Sequence, residues 1–245
     1  MKKATLFIVT LFLATTVSHA QWYGSGKKIK GNGNETTITR TTSDYDGVSV
    51  AGSFDVELVY GTEGKIQLTG ESNLLEHIET EVHSNTLKIK AKKGYNLKVS
   101  NGHKLLITVP FKNISSVSLS GSGDVYTKNA TIKASKFKMA LSGSGDVIID
   151  VEAGDLKMSV SGSGDMTASG TADSAEVRLA GSGDIHAYKL KTKNANVSLA
   201  GSGDIRVYVE NSLKARVAGS GDITYKGRPS KEDTKVAGSG SISMN

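Results

Sequence analysis

Val197-Ser198-Leu199-Ala200-Gly201-Ser202-Gly203-Asp204-Ile205 is the stretch on which the fold turns. Its centre, Gly-Ser-Gly-Asp, begins at Gly121, Gly143, Gly162, Gly181, Gly201 and Gly219, and a near-copy follows at Gly238-Ser239-Gly240-Ser241. The steps between these starts are 22, 19, 19, 20, 18 and 19 residues. A steady period of that length means stacked coils, each a unit that cannot bury its own apolar face alone.

The flanks of the motif align in columns. Leu119, Leu141, Val160, Leu179, Leu199, Val217 and Val236 stand two residues before the first glycine. Val117, Met139, Met158, Val177, Val197, Ala215 and Thr234 stand four before it, and Val125, Val147, Met166, Ile185, Ile205, Ile223 and Ile242 follow the motif's fourth residue. Period-2 spacing of apolar residues turns one strand face inward. The residues between, Ser118, Ala140, Ser159, Arg178, Ser198, Arg216 and Lys235, then face solvent. Second turns are expected at Glu152–Asp155, Thr171–Ser174, Asn211–Ser212 and Gly227–Ser230. Coils of about 19 residues with two or more corners make an all-β, right-handed parallel β-helix (β-solenoid), joined by parallel ladders. An antiparallel barrel or propeller is the alternative, but identical columns favour like-on-like stacking.

Upstream the pattern loosens. Ala51-Gly52-Ser53-Phe54-Asp55-Val56 reads as a degenerate first copy, with Phe54 at the second glycine. Strands are expected at 56–60 and 65–68 around a Gly61–Gly64 turn, and at 86–90 and 104–109, the last ended by Pro110, which lacks a ladder N–H. One helical turn over 73–78 would have Asn73 as its cap. The organisation expected is a signal peptide at 1–20, a leader and edge strand at 21–46, an irregular N-terminal lobe at 47–112 and the regular repeat at 113–245.

The signal peptide rests on Lys2 and Lys3, the apolar run Leu6–Leu13 and the small residues of Ser18-His19-Ala20. No later segment is apolar enough to cross a membrane as a helix, and the chain has no cysteine, hence no disulfide, thiol chemistry or lipoprotein anchor. Without Lys2 and Lys3, 28 basic residues face 24 acidic ones, a mild bias that suits acidic glycans or an anionic surface. Nothing suggests nucleic acid: there is no basic helix and no aromatic stacking platform.

Two sets of residues are candidate sites. Asp124, Asp146, Asp165, Asp184, Asp204 and Asp222 recur once per coil. The preferred reading is a corner residue whose carboxylate accepts backbone N–H bonds. The alternative is a cation ladder for Ca²⁺, but one carboxylate per coil is few for an ion that takes 6–8 oxygens. Arg178, Arg206, Arg216 and Lys235 are the candidate contacts for an acidic ligand. Catalysis has little support, since His77, His83, His103 and His186 are scattered and no nucleophile elbow is present.

The order Gly47–Leu58, Asn73–Val82, Leu87-Lys88-Ile89, Ile107-Thr108-Val109-Pro110 and then serial Ser-Gly-Ser-Gly-Asp corners resembles the auto-transporter adhesin head GIN-domain family, exported proteins common in Bacteroidetes. The resemblance spans about residues 47–245. It implies a right-handed β-helix-like fold at the cell envelope and brings no established catalytic residues. No membrane barrel of ~10-residue strands is expected from the seven residues that follow Gly238. The expectation is an exported, non-catalytic binding or adhesion module, periplasmic, outer-membrane-associated or extracellular, that contacts a glycan or surface polymer. A self-associating periplasmic scaffold, a homo-oligomer, is the runner-up, and a polysaccharide-acting enzyme comes third.

Overall fold

The structure is a computed structural model and describes residues 26–245. The signal-peptide reading at 1–20 lies outside the described residues. The fold is a β-solenoid of about seven coils, with little helix. Long strands Ile132–Gly143, Val147–Gly162, Met166–Gly181, Ile185–Gly201 and Ile205–Gly219 pair in parallel, in chain order. Leu141, Val160, Leu179, Leu199 and Val217 stack in one register column. All five are at most 3% exposed. Each such burial contributes about 1.5–3 kcal/mol, so the stack of columns is the source of stability.

The degenerate first copy takes its place in the stack. Gly47–Gly52 pairs with Ser116–Gly121, placing Gly52 against Gly121, and Asp55–Tyr60 pairs with Val125–Thr127. Phe54 is tolerated because the glycine corners begin here, and its ring turns into the core at 3% exposure. At the later corners a side chain does not fit. A Cβ on Gly203 would lie 1.8 Å from the Gly183 carbonyl oxygen, and Gly201 also needs φ of +144°.

Several expectations fail for identifiable reasons. The second turns do not interrupt the strands at 152–155 or 171–174, since Glu152 pairs with Thr171 and Asp155 with Ser174, and only Gly154 and Asp173 drop out of register. The chain bends there without leaving its ladder, so no backbone group has to be satisfied by a turn. Only Gly227–Ser230 leaves the sheet. Pro110 does not end its strand, which runs Leu106–Phe111. The Phe111 carbonyl accepts from Gly61 N–H, so Phe111 faces Asp55–Tyr60 and Pro110 faces away. On that side the antiparallel partner Lys65–Glu71 pairs only with Leu106–Thr108, and no donor is missed. Instead, the Tyr45 hydroxyl donates to the Pro110 carbonyl.

The helical turn is Ser72–Leu75, and its N-cap is Glu71, without a side-chain capping bond. Asn73 is occupied elsewhere, accepting from Asn32 N–H at 3.1 Å and donating to the Lys30 carbonyl at 2.8 Å. The strands around Gly61–Gly64 do not pair with each other; Leu106–Phe111 lies between them. Antiparallel pairing by Glu35–Thr41, Lys65–Glu71 and Ile78–His83 covers this end of the stack. At the other end nothing in the described chain covers the last coil. Val236 and Met244 are 42% and 61% exposed, and Thr234 and Ile242 also escape full burial.

Candidate binding surfaces

The corner aspartates form one continuous ladder. Each Asp N–H donates to Oδ1 of the aspartate one coil earlier: Asp124 to Asp55 at 3.1 Å, Asp146 to Asp124 at 3.0 Å, Asp165 to Asp146 at 3.1 Å. Asp184 to Asp165 and Asp204 to Asp184 follow at 2.8 Å, then Asp222 to Asp204 at 3.1 Å. Ser241 closes the series with its N–H at 2.7 Å and its hydroxyl at 2.9 Å from Asp222 Oδ1. The same residues' carbonyls accept from the previous coil, for example Asp204 from Ile185 N–H at 2.9 Å. A carboxylate at this point meets a backbone donor that the bend takes out of the regular ladder.

Like charges in a column repel, and two of these are partly neutralised. Arg206 lies 3.7 Å from Asp184 Oδ2 and 3.3 Å from Asp204 Oδ2, and it bonds to His186 Nδ1 at 3.0 Å. Among the described residues no group of three or more His, Asp or Glu is placed to hold a metal ion. Every corner carboxylate accepts at Oδ1 from a backbone N–H of the next coil.

The four candidate basic contacts do not form one set. Arg178, Arg216 and Lys235 share a register column on the sheet face before the glycine corner, with Ser159 preceding Arg178 and Ser198 between Arg178 and Arg216. Arg206 lies past the corner, in a column with His186 and Thr224, and is half-buried. Arg178 pairs with Glu176 and Arg216 with Asp233 at 2.5 Å, the latter also donating to the Asp233 carbonyl at 2.7 Å. Lys235 forms no ion pair among the described residues.

The same face carries basic residues that the sequence did not single out. Ser116, Lys138, Lys157, Glu176, Asn196, Lys214 and Asp233 form its second outward column. Two depressions open there. One, of 640 Å³, is lined by Ser116, Lys136, Phe137, Lys138, Asp155, Lys157 and Glu176. The other, of 410 Å³, is lined by Ser49, His83, Ser84, Lys88, Ser116, Ser118 and Lys138. They share Ser116 and Lys138 and so make one shallow trough across several coils. Lys157 is held by Glu176 at 3.2 Å and Lys136 stands 3.8 Å from Asp155, whereas Lys88 and Lys138 form no ion pair among the described residues. The sequence signal for Lys138 was its column, five residues before Gly143; Lys88 comes from the irregular lobe and had no such signal.

Two glutamates of the N-terminal lobe are buried. Glu57 is 6% exposed. Burial would raise its pKa, but hydrogen bonds from Lys128 at 2.9 Å and Thr108 at 2.8 Å, and the Lys128 charge, hold it below the ordinary range. Glu71 is fully buried. Burial again pushes its pKa up, and N–H bonds from Ser100 at 2.8 Å and Gly33 at 2.6 Å win and lower it. Both are therefore fixed anions that secure the lobe, not poised proton donors.

Comparisons with known proteins agree with this architecture. The family model for the putative auto-transporter adhesin, head GIN domain, matches residues 44–229. The crystal structure of a putative adhesin from Bacteroides fragilis is similar, with a TM-score of 0.82 and 25% identity over 89% of this chain and 100% of that one. A putative lipid binding protein from Parabacteroides distasonis has a TM-score of 0.70 and 28% identity over the same shares. A putative adhesin from Parabacteroides distasonis, at 24% identity and a TM-score of 0.69, shares the fold. Comparison with curated proteins finds no match.

Proposed function

Because the chain belongs to the putative auto-transporter adhesin, head GIN domain family, we propose that it is an exported, non-catalytic binding module of the cell envelope whose trough holds an acidic polymer, an acidic glycan first. The observation that carries this is Lys138, without an ion pair, where the two depressions join, with Lys88 and the hydroxyl-bearing Ser49, Ser84, Ser116 and Ser118 around it. Repeated coils present similar side chains at one strand spacing, about 4.8 Å. A polymer can then gain by avidity what no single contact supplies. A self-associating scaffold is the weaker reading, because the last coil's edge is charged by Lys231, Glu232, Asp233 and Lys235. Charges on an edge strand discourage the addition of another strand.

Retention on immobilised heparin, used as an acidic-polymer probe, tests the reading. The full chain should be retained at low salt and released as salt rises, since exposed charges are screened over about 10 Å at 0.1 M. The Lys88→Ala/Lys138→Ala pair should elute earlier, and no fragment of the bound polymer should be released. No retention, or elution unchanged by the pair, sinks the trough. Retention only on vesicles of anionic lipid would replace the glycan with a lipid headgroup.

A further inference from the structure

One coil departs from the common length, and what it builds is not at the trough. The step from Gly121 to Gly143 is 22 residues, the longest of the series. Its strand Val125–Thr127 stops after three residues, and the chain detours before resuming at Ile132. Asn129, on the detour, has φ of +52°.

The core itself stays filled, since Ile132 registers with Val151 and both are 0% exposed. What the detour leaves without a neighbour is the end of Asp55–Tyr60: its pairing with Val125–Thr127 stops at Leu58, opposite Thr127, so no strand residue of that coil faces Tyr60. Tyr60 is 71% exposed, the most exposed large apolar side chain among the described residues. Its ring meets the buried Phe111 ring edge-on, with centroids 6.5 Å apart and planes at 85°, which holds its tilt. A depression of 430 Å³ lies against it, lined by Tyr60, Lys112, Asn113, Asn129, Thr131 and Lys133 among others. The Asn113 and Asn129 side chains have no hydrogen-bond partner among the described residues, and Lys112 forms no ion pair there. Lys133 is paired with Glu152 at 3.0 Å.

We propose that this depression is a second, separate binding site, a subsite for a short acidic saccharide. The face of an aromatic ring carries negative charge density and takes the slightly positive C–H face of a sugar ring. A side-chain amide offers both a donor and an acceptor to neighbouring hydroxyls. The sugar stacks on Tyr60, its hydroxyls meet Asn113 and Asn129, and its carboxylate meets the Lys112 ammonium. A few polar groups around one apolar platform is the usual make-up of a small-molecule site. The assignment does not rest on the trough, with which this depression shares no lining residue.

Titration of the full chain with digalacturonate, followed by backbone amide NMR, tests it. Saturable shifts are expected at Gly61, Asn113 and Asn129. Tyr60→Ala should weaken binding about tenfold or more, as loss of the anchor of a small site does. Tyr60→Phe, which keeps the ring, should stay close to the parent, as should Lys88→Ala/Lys138→Ala. Equal binding by Tyr60→Ala overturns the site, and so does the absence of shifts. Shifts confined to Lys88, Ser116 and Lys138 also overturn it while leaving the trough standing. Equally strong shifts with uncharged galactobiose overturn the acidic-sugar assignment.

Discussion

In the regular stack, a backbone donor at a corner is met by the same atom of the same residue type in coil after coil, Asp184 N–H by Asp165 Oδ1 and Asp204 N–H by Asp184 Oδ1. In the N-terminal lobe the equivalent need is met once each by unrelated side chains. Glu71 takes the N–H groups of Gly33 and Ser100, and Asn73 ties the segment at Lys30–Asn32. Repetition solves the stack's problem at any length, because each coil is the template for the next. The lobe has to end the ladder, so it turns to antiparallel strands and single-use bonds. The stack should therefore fail wherever its geometry is altered, whereas the lobe should fail at a few anchors.

The largest expected effect is in the stack interior. Leu199→Asp places an unpaired charge in a column that is 1% exposed and should cost about 4 kcal/mol or more. Val236→Asp, two residues before the last Gly-Ser corner but 42% exposed, should stay within about 0.5 kcal/mol. Equal urea midpoints for the two would break the column assignment.

Glycines sharpen the contrast between the regions. Gly203→Ala drives a Cβ to 1.8 Å from backbone and should cost about 3–4 kcal/mol. Gly94→Ala in the lobe has φ of +85° but nothing within 4 Å, so only backbone strain of about 1–2 kcal/mol is expected. Thermal unfolding of both variants separates these outcomes, and a milder Gly203→Ala would remove the close-approach argument.

Two strand residues of opposite burial extend the contrast. Val209→Ala, at 0% exposure, should cost about 2 kcal/mol. Tyr60→Ala, at 71% exposure on the end of Asp55–Tyr60, should lie within about 0.5 kcal/mol. A large loss from Tyr60→Ala would mean that the ring is structural.

Asp184→Asn removes charge but keeps an acceptor oxygen, and should cost about 0.5–1.5 kcal/mol, unaffected by chelators. A saturable rise in melting temperature on adding Ca²⁺, lost in this variant, would instead argue for a bound ion.

The gentlest perturbation is acid, and it should act on the lobe first. Glu57 and Glu71 have folded pKa values below their ordinary ones. Their contribution is complete above the unfolded value of about 4.3 and is lost as pH falls through the lower folded value. Amide exchange at Gly33 and Ser100 should therefore accelerate below about pH 4 before that of the stack amides. Simultaneous acceleration throughout would show that the lobe is not held by these anions.

The sequence by itself determined the solenoid, its coil length and which residues fill its columns, because each repeats a local rule, period-2 alternation plus a glycine corner. It also placed the first coil at Gly47, with Phe54 in the second glycine's place. Only the tertiary structure decided the rest. Residues five apart in the chain, or fifty, came together by register and not by pattern. Lys88 joined Lys138 across strands from different coils, Arg206 was separated from Arg178 by a corner, and Pro110 kept its strand because its missing N–H faced no partner. Periodicity states which way a side chain points. Which unlike neighbours it meets, and whether a 22-residue coil leaves a tyrosine uncovered, depends on the stacking of whole coils.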